Sequence, residues 1–200
     1  MKHQLAFILM LLTLSSLNTQ AQYSMEITAN YNLPQSSSFK SQFNKGIGAS
    51  AEIHYFFNDS GLNASILFGL NSFSAKTAYK QEIKEENGPT EFEYEYQAHY
   101  YTFPLMLSLN YTFFQKEKYN FLVQFAFGSE YMERKIKQIG EFTSDTEKTK
   151  YLELGIYPSI GVSYEIMKDV SLLFKGGYNK TFGDENLSFI DIKAGVIYKI

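Results

Sequence analysis

The sequence predicts an all-β protein, an eight-stranded antiparallel transmembrane β-barrel with short periplasmic turns and longer extracellular loops. Three observations carry that expectation. An N-terminal apolar run reads as an export signal, a period-two alternation recurs eight times after it, and aromatic residues gather at both ends of the apolar faces.

Lys2 and His3 precede an apolar run from Leu5 to Leu14, and a polar stretch then leads to Thr19-Gln20-Ala21. This is the order of a charged n-region, a short hydrophobic region and a small-residue cleavage site. The run is too short to cross a bilayer, which takes about 20 apolar residues in a helix. Cleavage after Ala21 is expected to divide the chain into a signal peptide, residues 1–21, and a barrel domain, residues 22–200. No later stretch reaches about 18 consecutive apolar residues, so export leaves three destinations: secreted, periplasmic, or inserted as a barrel. With no cysteine, the chain has neither a disulfide framework nor an acylated cysteine anchor.

The formal charge is −3, and losing Lys2 leaves 17 basic against 21 acidic side chains. An acidic balance does not suit nucleic acid, whose affinity comes largely from Lys and Arg on phosphates. Aromatic residues make up 17% of the chain, yet the mean hydropathy is −0.24. Alternating apolar and polar residues produce that combination.

The first predicted strand, about Gln22 to Asn32, sets Tyr23, Met25, Ile27, Ala29 and Tyr31 against Ser24, Glu26, Thr28 and Asn30. The second, about Lys45 to Phe57, sets Ile47, Ala49, Ala51, Ile53 and Tyr55 against Gly48, Ser50, Glu52 and His54. Leu62 to Ser74 forms the third, with Leu62, Ala64, Ile66, Phe68 and Leu70 on the apolar face. The fourth, ending near Phe113, aligns Tyr101, Phe103, Leu105, Leu107, Leu109 and Tyr111. In the second half the apolar faces carry Phe121 to Phe127, Leu152 to Tyr164, Leu172 to Tyr178 and Ile190 to Ile200, each at every other residue. Pro104 and Pro158 fall inside strands and each removes a ladder donor, so a bulge is expected at both.

Connections alternate between short joins (58–61, 115–120, 167–169) and longer polar ones (33–44, 75–92, 135–149, 182–186). Strands of about ten residues with that alternation describe a transmembrane barrel, its termini on the short-turn, periplasmic side.

Period two alone does not say which face meets lipid. A soluble lipocalin-like cup holding an apolar ligand has the same strands with polarity reversed. Two features favour the membrane. Glycines 46, 48, 69, 128, 155, 161, 177 and 195 fall on the polar faces, where small residues make room in a narrow lumen. Tyr23, Tyr55, Tyr111, Tyr164 and Tyr198 lie near the short-turn ends, with Phe113 and Phe121, and Tyr31, Tyr101, Tyr131 and Tyr178 near the long-loop ends. These are the expected interfacial girdles.

Residues 100–111, Tyr-Tyr-Thr-Phe-Pro-Leu-Met-Leu-Ser-Leu-Asn-Tyr, carry an aromatic-x-x-Pro-Leu run. With Gln22 after the cleavage site, Gly155 and Gly161 in one strand, and a final strand ending Tyr198 to Ile200, the chain resembles the PorT-like outer-membrane barrels of Bacteroidota. The resemblance implies an OmpX/OmpA-like barrel in the outer membrane of a Gram-negative bacterium and assigns no activity. The closing residue is Ile200, where the assembly signal of such proteins tends to be aromatic.

Candidate chemistry is sparse. Some small barrels modify lipid A with a His, a Ser and an acid near the outer leaflet. His99 lies at that height and His54 does not, and the His-x-Ser pairing of the deacylases is absent. No metal or cofactor motif is present, and Arg134 is the single arginine. Glu26, Glu52, Gln124, Lys175, Asp191 and Lys193 are expected to meet inside as a paired structural network. An acidic second loop (Glu82, Glu85, Glu86) and a mixed third loop (Arg134, Lys135, Glu147, Lys148) face outward. Expected contacts are outer-membrane lipid, lipopolysaccharide and a protein partner at the extracellular loops that adds to strand edges around Tyr94–Tyr101 and Tyr131–Lys137. The expected role is non-catalytic, structural or surface-interacting, around a closed polar lumen. The alternatives are a lipid A modifying enzyme and the soluble cup.

Overall fold

The computed structural model describes residues 23–57, 61–76, 79–84, 91–139 and 144–200, with side chains described outside 77–97 and 138–145. The expected signal peptide and its cleavage point lie outside these residues.

The elements in chain order are β1 (Tyr23–Pro34), α1 (Ser37–Gln42), β2 (Gly46–Phe56), β3 (Leu62–Ser74), β4 (Tyr79–Lys84), β5 (Glu91–Lys116), β6 (Tyr119–Ile139), β7 (Ser144–Met167), β8 (Val170–Phe182) and β9 (Ser188–Lys199). All pairings are antiparallel, in the order β3-β2-β1-β9-β8-β7-β6-β5, and β3 pairs with β5 to close eight strands into a barrel. Closure leaves the barrel wall without an edge, which hydrocarbon requires because it cannot hydrogen-bond a free N–H or C=O. β4 stands outside the ring and pairs with the far end of β5.

Solvent exposure decides the polarity. Leu107 and Phe127 on one face are each 55% exposed, while Glu52 and Lys175 on the other are each 1% exposed. The apolar face is the exterior, so the soluble cup is excluded: its outer band could meet only lipid. The predicted tyrosines all lie on that exterior, exposed or half-buried. At the short-turn end Tyr23 and Tyr55 are register partners with rings 5.5 Å apart, and at the loop end Phe103 and Tyr131 are partners at 5.7 Å.

The two prolines behave differently from the expectation. Register runs unbroken past Pro104 opposite Glu130 and past Pro158 opposite Phe125. On the other flank each proline lacks a bridge partner while the register beyond is unchanged. Removing one donor costs a local pairing and needs no inserted residue, so the facing on both sides is preserved. The irregularities sit instead between Thr112 and Phe114 and between Glu165 and Met167, beside the short turns.

Three long polar connections also differ. Residues 33–44 contain α1, whose Phe39, with Phe43 one turn on, is buried. Phe39 packs edge-on against Phe73 at 4.8 Å and Tyr100 at 5.3 Å, and Phe73 meets Phe189 at 5.4 Å. With Met132 and Leu187 these rings form an apolar plug across the extracellular end. The lumen is therefore not polar throughout. Backbone bonds hold the plug's lid: Gln35 N–H donates to Ser188 O at 2.8 Å and Lys76 N–H to Gln42 O at 2.9 Å. The other corrections are 75–92, which contains β4 and the start of β5, and 135–149, most of which continues β6 and β7.

Two outcomes follow from these packings. Leu107→Arg, at mid-depth on the lipid face, is expected to cost about 2–4 kcal/mol in urea unfolding from phospholipid vesicles. Phe39→Ala is expected to loosen the plug by about 3–5 kcal/mol. Limited proteolysis should then cut within 35–44 while the boiled-versus-unboiled gel shift of the barrel persists.

Candidate functional site

The lower lumen is organised by one lysine. β1 and β2 place Glu26 directly opposite Glu52, a like-charged pair inside the wall. Lys175, arriving from β8, sets its Nζ 2.8 Å from Glu26 Oε1 and 3.2 Å from Glu52 Oε2, and also donates to Gln124 Oε1 at 3.2 Å. Ser65 and Ser108 hydroxyls and the Gln124 amide donate to Glu52 Oε1. Six side chains from β1, β2, β3, β5, β6 and β8 thus meet at one point. Gly161 gives the lysine its space, since a Cβ there would lie 3.1 Å from Lys175 Cγ.

His54 extends this group toward the short-turn end. Its Nδ1 is 3.0 Å from Asn63 Oδ1 and its Nε2 is 3.4 Å from Glu26 Oε2. Both ring nitrogens face acceptor oxygens, an arrangement that the doubly protonated imidazolium satisfies. Glu26, Glu52 and His54 present possible ligand atoms within 4.8 Å of one another. Lys175 already supplies the positive charge that the two carboxylates would otherwise draw from a metal ion, so this donor set does not call for one. Ser24, register partner of His54, has an unpartnered hydroxyl. Neither histidine nitrogen is turned to it, and no serine–histidine–acid relay forms.

Asp191 and Lys193 form a separate pair at 3.4 Å, higher in the lumen. Lys193 Nζ also lies 4.4 Å from the ring centre of Tyr157, which packs with Leu67, Met106 and Ala126. The six residues expected to share one network therefore divide: Glu26, Glu52, Gln124 and Lys175 meet, while Asp191 and Lys193 pair apart. The expectation omitted Glu130 and Glu153, both buried and directly opposite each other on β6 and β7. Their inward parity was legible, but their proximity depends on register. Gly177 lies beneath Tyr157, and a Cβ there would come within 2.5 Å of the ring.

His99 is exposed on the outer face, opposite Ser74 on β3 and Lys135 on β6. Its ring stacks on Tyr101 with centroids 6.3 Å apart.

Beyond Ser74 and Phe182, β3 and β8 end while β5, β6 and β7 continue. Pairing runs on to Ile139 opposite Ser144, with β4 added along β5 from Tyr79–Tyr96 to Lys84–Glu91. The result is a four-stranded sheet, β4-β5-β6-β7, above the barrel. Between Ser144 and Glu153 the β7 strand has no partner on its β8 side among the described residues, a run on the order of 30 Å at about 3.3 Å per residue. Among the described residues the open edges therefore belong to β4 and upper β7. The segments Tyr94–Tyr101 and Tyr131–Lys137, expected as edges, are interior strands of this sheet.

Lys175→Met is expected to destabilise the barrel by about 3–5 kcal/mol in urea, because it strands two buried carboxylates. Adding Glu26→Gln and Glu52→Gln should recover more than half of that loss. Equal stability of the single and triple variants would show that the charges are not coupled.

Comparison with known proteins agrees with this architecture. A family model described as an outer membrane protein beta-barrel domain matches residues 7–199. Comparison with curated protein sequences gives no match. Among solved structures, a major outer membrane protein of Thermus thermophilus superposes with a TM-score of 0.56 at 12% identity, covering 91% of this chain and 100% of that one. Ail of Yersinia pestis, in complex with the heparin analogue sucrose octasulfate, gives 0.53 at 11%, covering 91% and 100%. Neisserial surface protein A gives 0.52 at 15%, covering 89% and 97%. At such identities these likenesses speak for the fold alone. With a family match spanning nearly the whole length and a closed barrel whose apolar face is its exterior, the chain belongs to the outer membrane protein β-barrel domain family.

Proposed function

We propose that this is a non-catalytic surface-interaction protein of the outer membrane, which presents its extracellular sheet to a strand of a protein partner. The observation that carries the reading is the pair of open edges on β4 and upper β7, raised above the barrel. An unpaired edge offers a row of N–H and C=O groups to an extended segment. Lumen packing supports a non-conducting role: the plug fills the upper end, and the Lys175 group spans the lumen below it. We infer kinship with the PorT-like barrels of Bacteroidota, on the strand-four run around Pro104 and Leu105.

The lipid A enzyme reading has less support. His99 and Ser74 are register partners on the outer face, but no hydrogen bond joins them, and the His99 ring stacks on Tyr101. Lys135, the opposite neighbour, binds Glu133 at 3.1 Å, which leaves that carboxylate paired to a cation.

A photo-crosslinking residue at Lys148, on the free β7 edge, tests the proposal in intact cells. A discrete protein adduct is expected there and none from the same residue at Leu107. Lack of an adduct at Lys148, together with a lipid A mass change abolished by His99→Ala, would replace the binding role with the enzymatic one.

A further inference from the structure

Where the plug meets the outer flank of the barrel lies a groove of about 440 Å³, lined by Leu33, Pro34, Phe43, Lys40, Lys45 and Lys76 among others. We infer that it is a binding site for the phosphorylated headgroup of an outer-leaflet lipid, of the lipid A type. The inference rests on the outer-membrane location and not on docking at the sheet edges, so the Lys148 crosslink and the experiment below fail independently.

Three properties of the groove converge on that ligand. Its first is charge. Lys40, Lys45 and Lys76 come from α1, the start of β2 and the segment after β3, and among the described residues no acidic side chain lines the groove with them. All three are exposed, and among the described residues none is in an ion pair. On a chain of net charge −3, three unpaired lysines around one concavity form a local anion site.

Its second property is position. Tyr31 belongs to the loop-end girdle, and Lys45 Nζ lies 5.7 Å from the centre of its ring. Leu33 continues the outward face of β1 one step above Tyr31. The groove therefore opens where headgroups replace acyl chains, with its ammonium groups above that level and an apolar wall beside them. A soluble polyanion has no need of the apolar wall, whereas a lipid whose phosphate and chains meet at this height uses both.

The third is preorganisation. Phe43 is held in the plug and its backbone bridges to Ala75. Asn44 N–H donates to Ser74 O at 2.8 Å, and the Asn44 side-chain amide donates to Ala75 O at 3.0 Å. With the Lys76-to-Gln42 bond, these contacts fix the backbone that carries all three lysines. Binding then orders only the lysine side chains, which lowers the entropic cost of engaging a phosphate.

The test uses the full barrel in zwitterionic detergent and native mass spectrometry, with bisphosphorylated lipid A as the probe. One lipid A is expected to be retained by the native chain. Retention should weaken about tenfold or more in K40Q/K45Q/K76Q, which is about 1.4 kcal/mol or more. A Lys→Arg triple should retain binding, and enzymatically dephosphorylated lipid A should bind the native chain as weakly as lipid A binds the Gln triple. The gel shift on boiling reports whether each variant is folded; if the Gln triple is not, the dephosphorylated probe and the Arg triple decide. Equal binding of dephosphorylated lipid A, or an unaffected Gln triple, would overturn the inference in favour of adsorption on the lipid-facing band. Binding of a sulfated polysaccharide without binding of lipid A would overturn it in favour of a soluble polyanion.

Discussion

Hydrocarbon offers a backbone no hydrogen bonds, and the pairing of β3 with β5 answers that constraint for the whole molecule. Once the sheet closes, each strand has one face toward lipid and one toward a narrow lumen largely filled by side chains. Alternation then becomes compulsory, and its polarity is opposite to that of a soluble barrel. Pro104 and Pro158 are tolerated because each interrupts one pairing on one flank while the other flank stays in register.

The interior follows from the same closure. Polar residues turned inward leave bulk water, so a buried charge is costly unless it finds a partner. Lys175 serves Glu26 and Glu52 from strands remote in sequence, and the group is fixed by the ring's geometry rather than by local chain. Above it the lumen changes character, through Tyr157 and its neighbours to the rings of Phe39, Phe73 and Tyr100. An apolar upper end gives the first extracellular segment something to dock on. That docking in turn sets the backbone of Phe43 to Lys45 and, through Asn44, the segment after β3.

Much of the fold was legible because strands write a two-residue period. The outward residues from Tyr23 to Tyr31, Leu62 to Leu70 and Leu152 to Tyr164 emerge on the faces their parity assigns. Elements without that period were harder. Phe39 and Phe43 are spaced one helical turn apart, a signal for α1, but a single turn between polar serines is easily taken for loop. The tall ends of β5, β6 and β7 are rich in Glu and Lys, and charged strands above a membrane look like solvated loops. Glu130 and Glu153 show inward parity like Glu52, yet nothing in one dimension says that they stand opposite each other.

By itself the sequence determined the strand number of the barrel and the two faces of each strand. Local periodicity fixes those properties, since a side chain's face depends only on its position along its own strand. Only the tertiary structure decided which sheltered charges meet, where the lumen turns apolar, and that β4 and upper β7 hold the open edges. Those outcomes depend on register and on where neighbouring strands end, quantities that arise between strands and leave no periodic mark on any one of them.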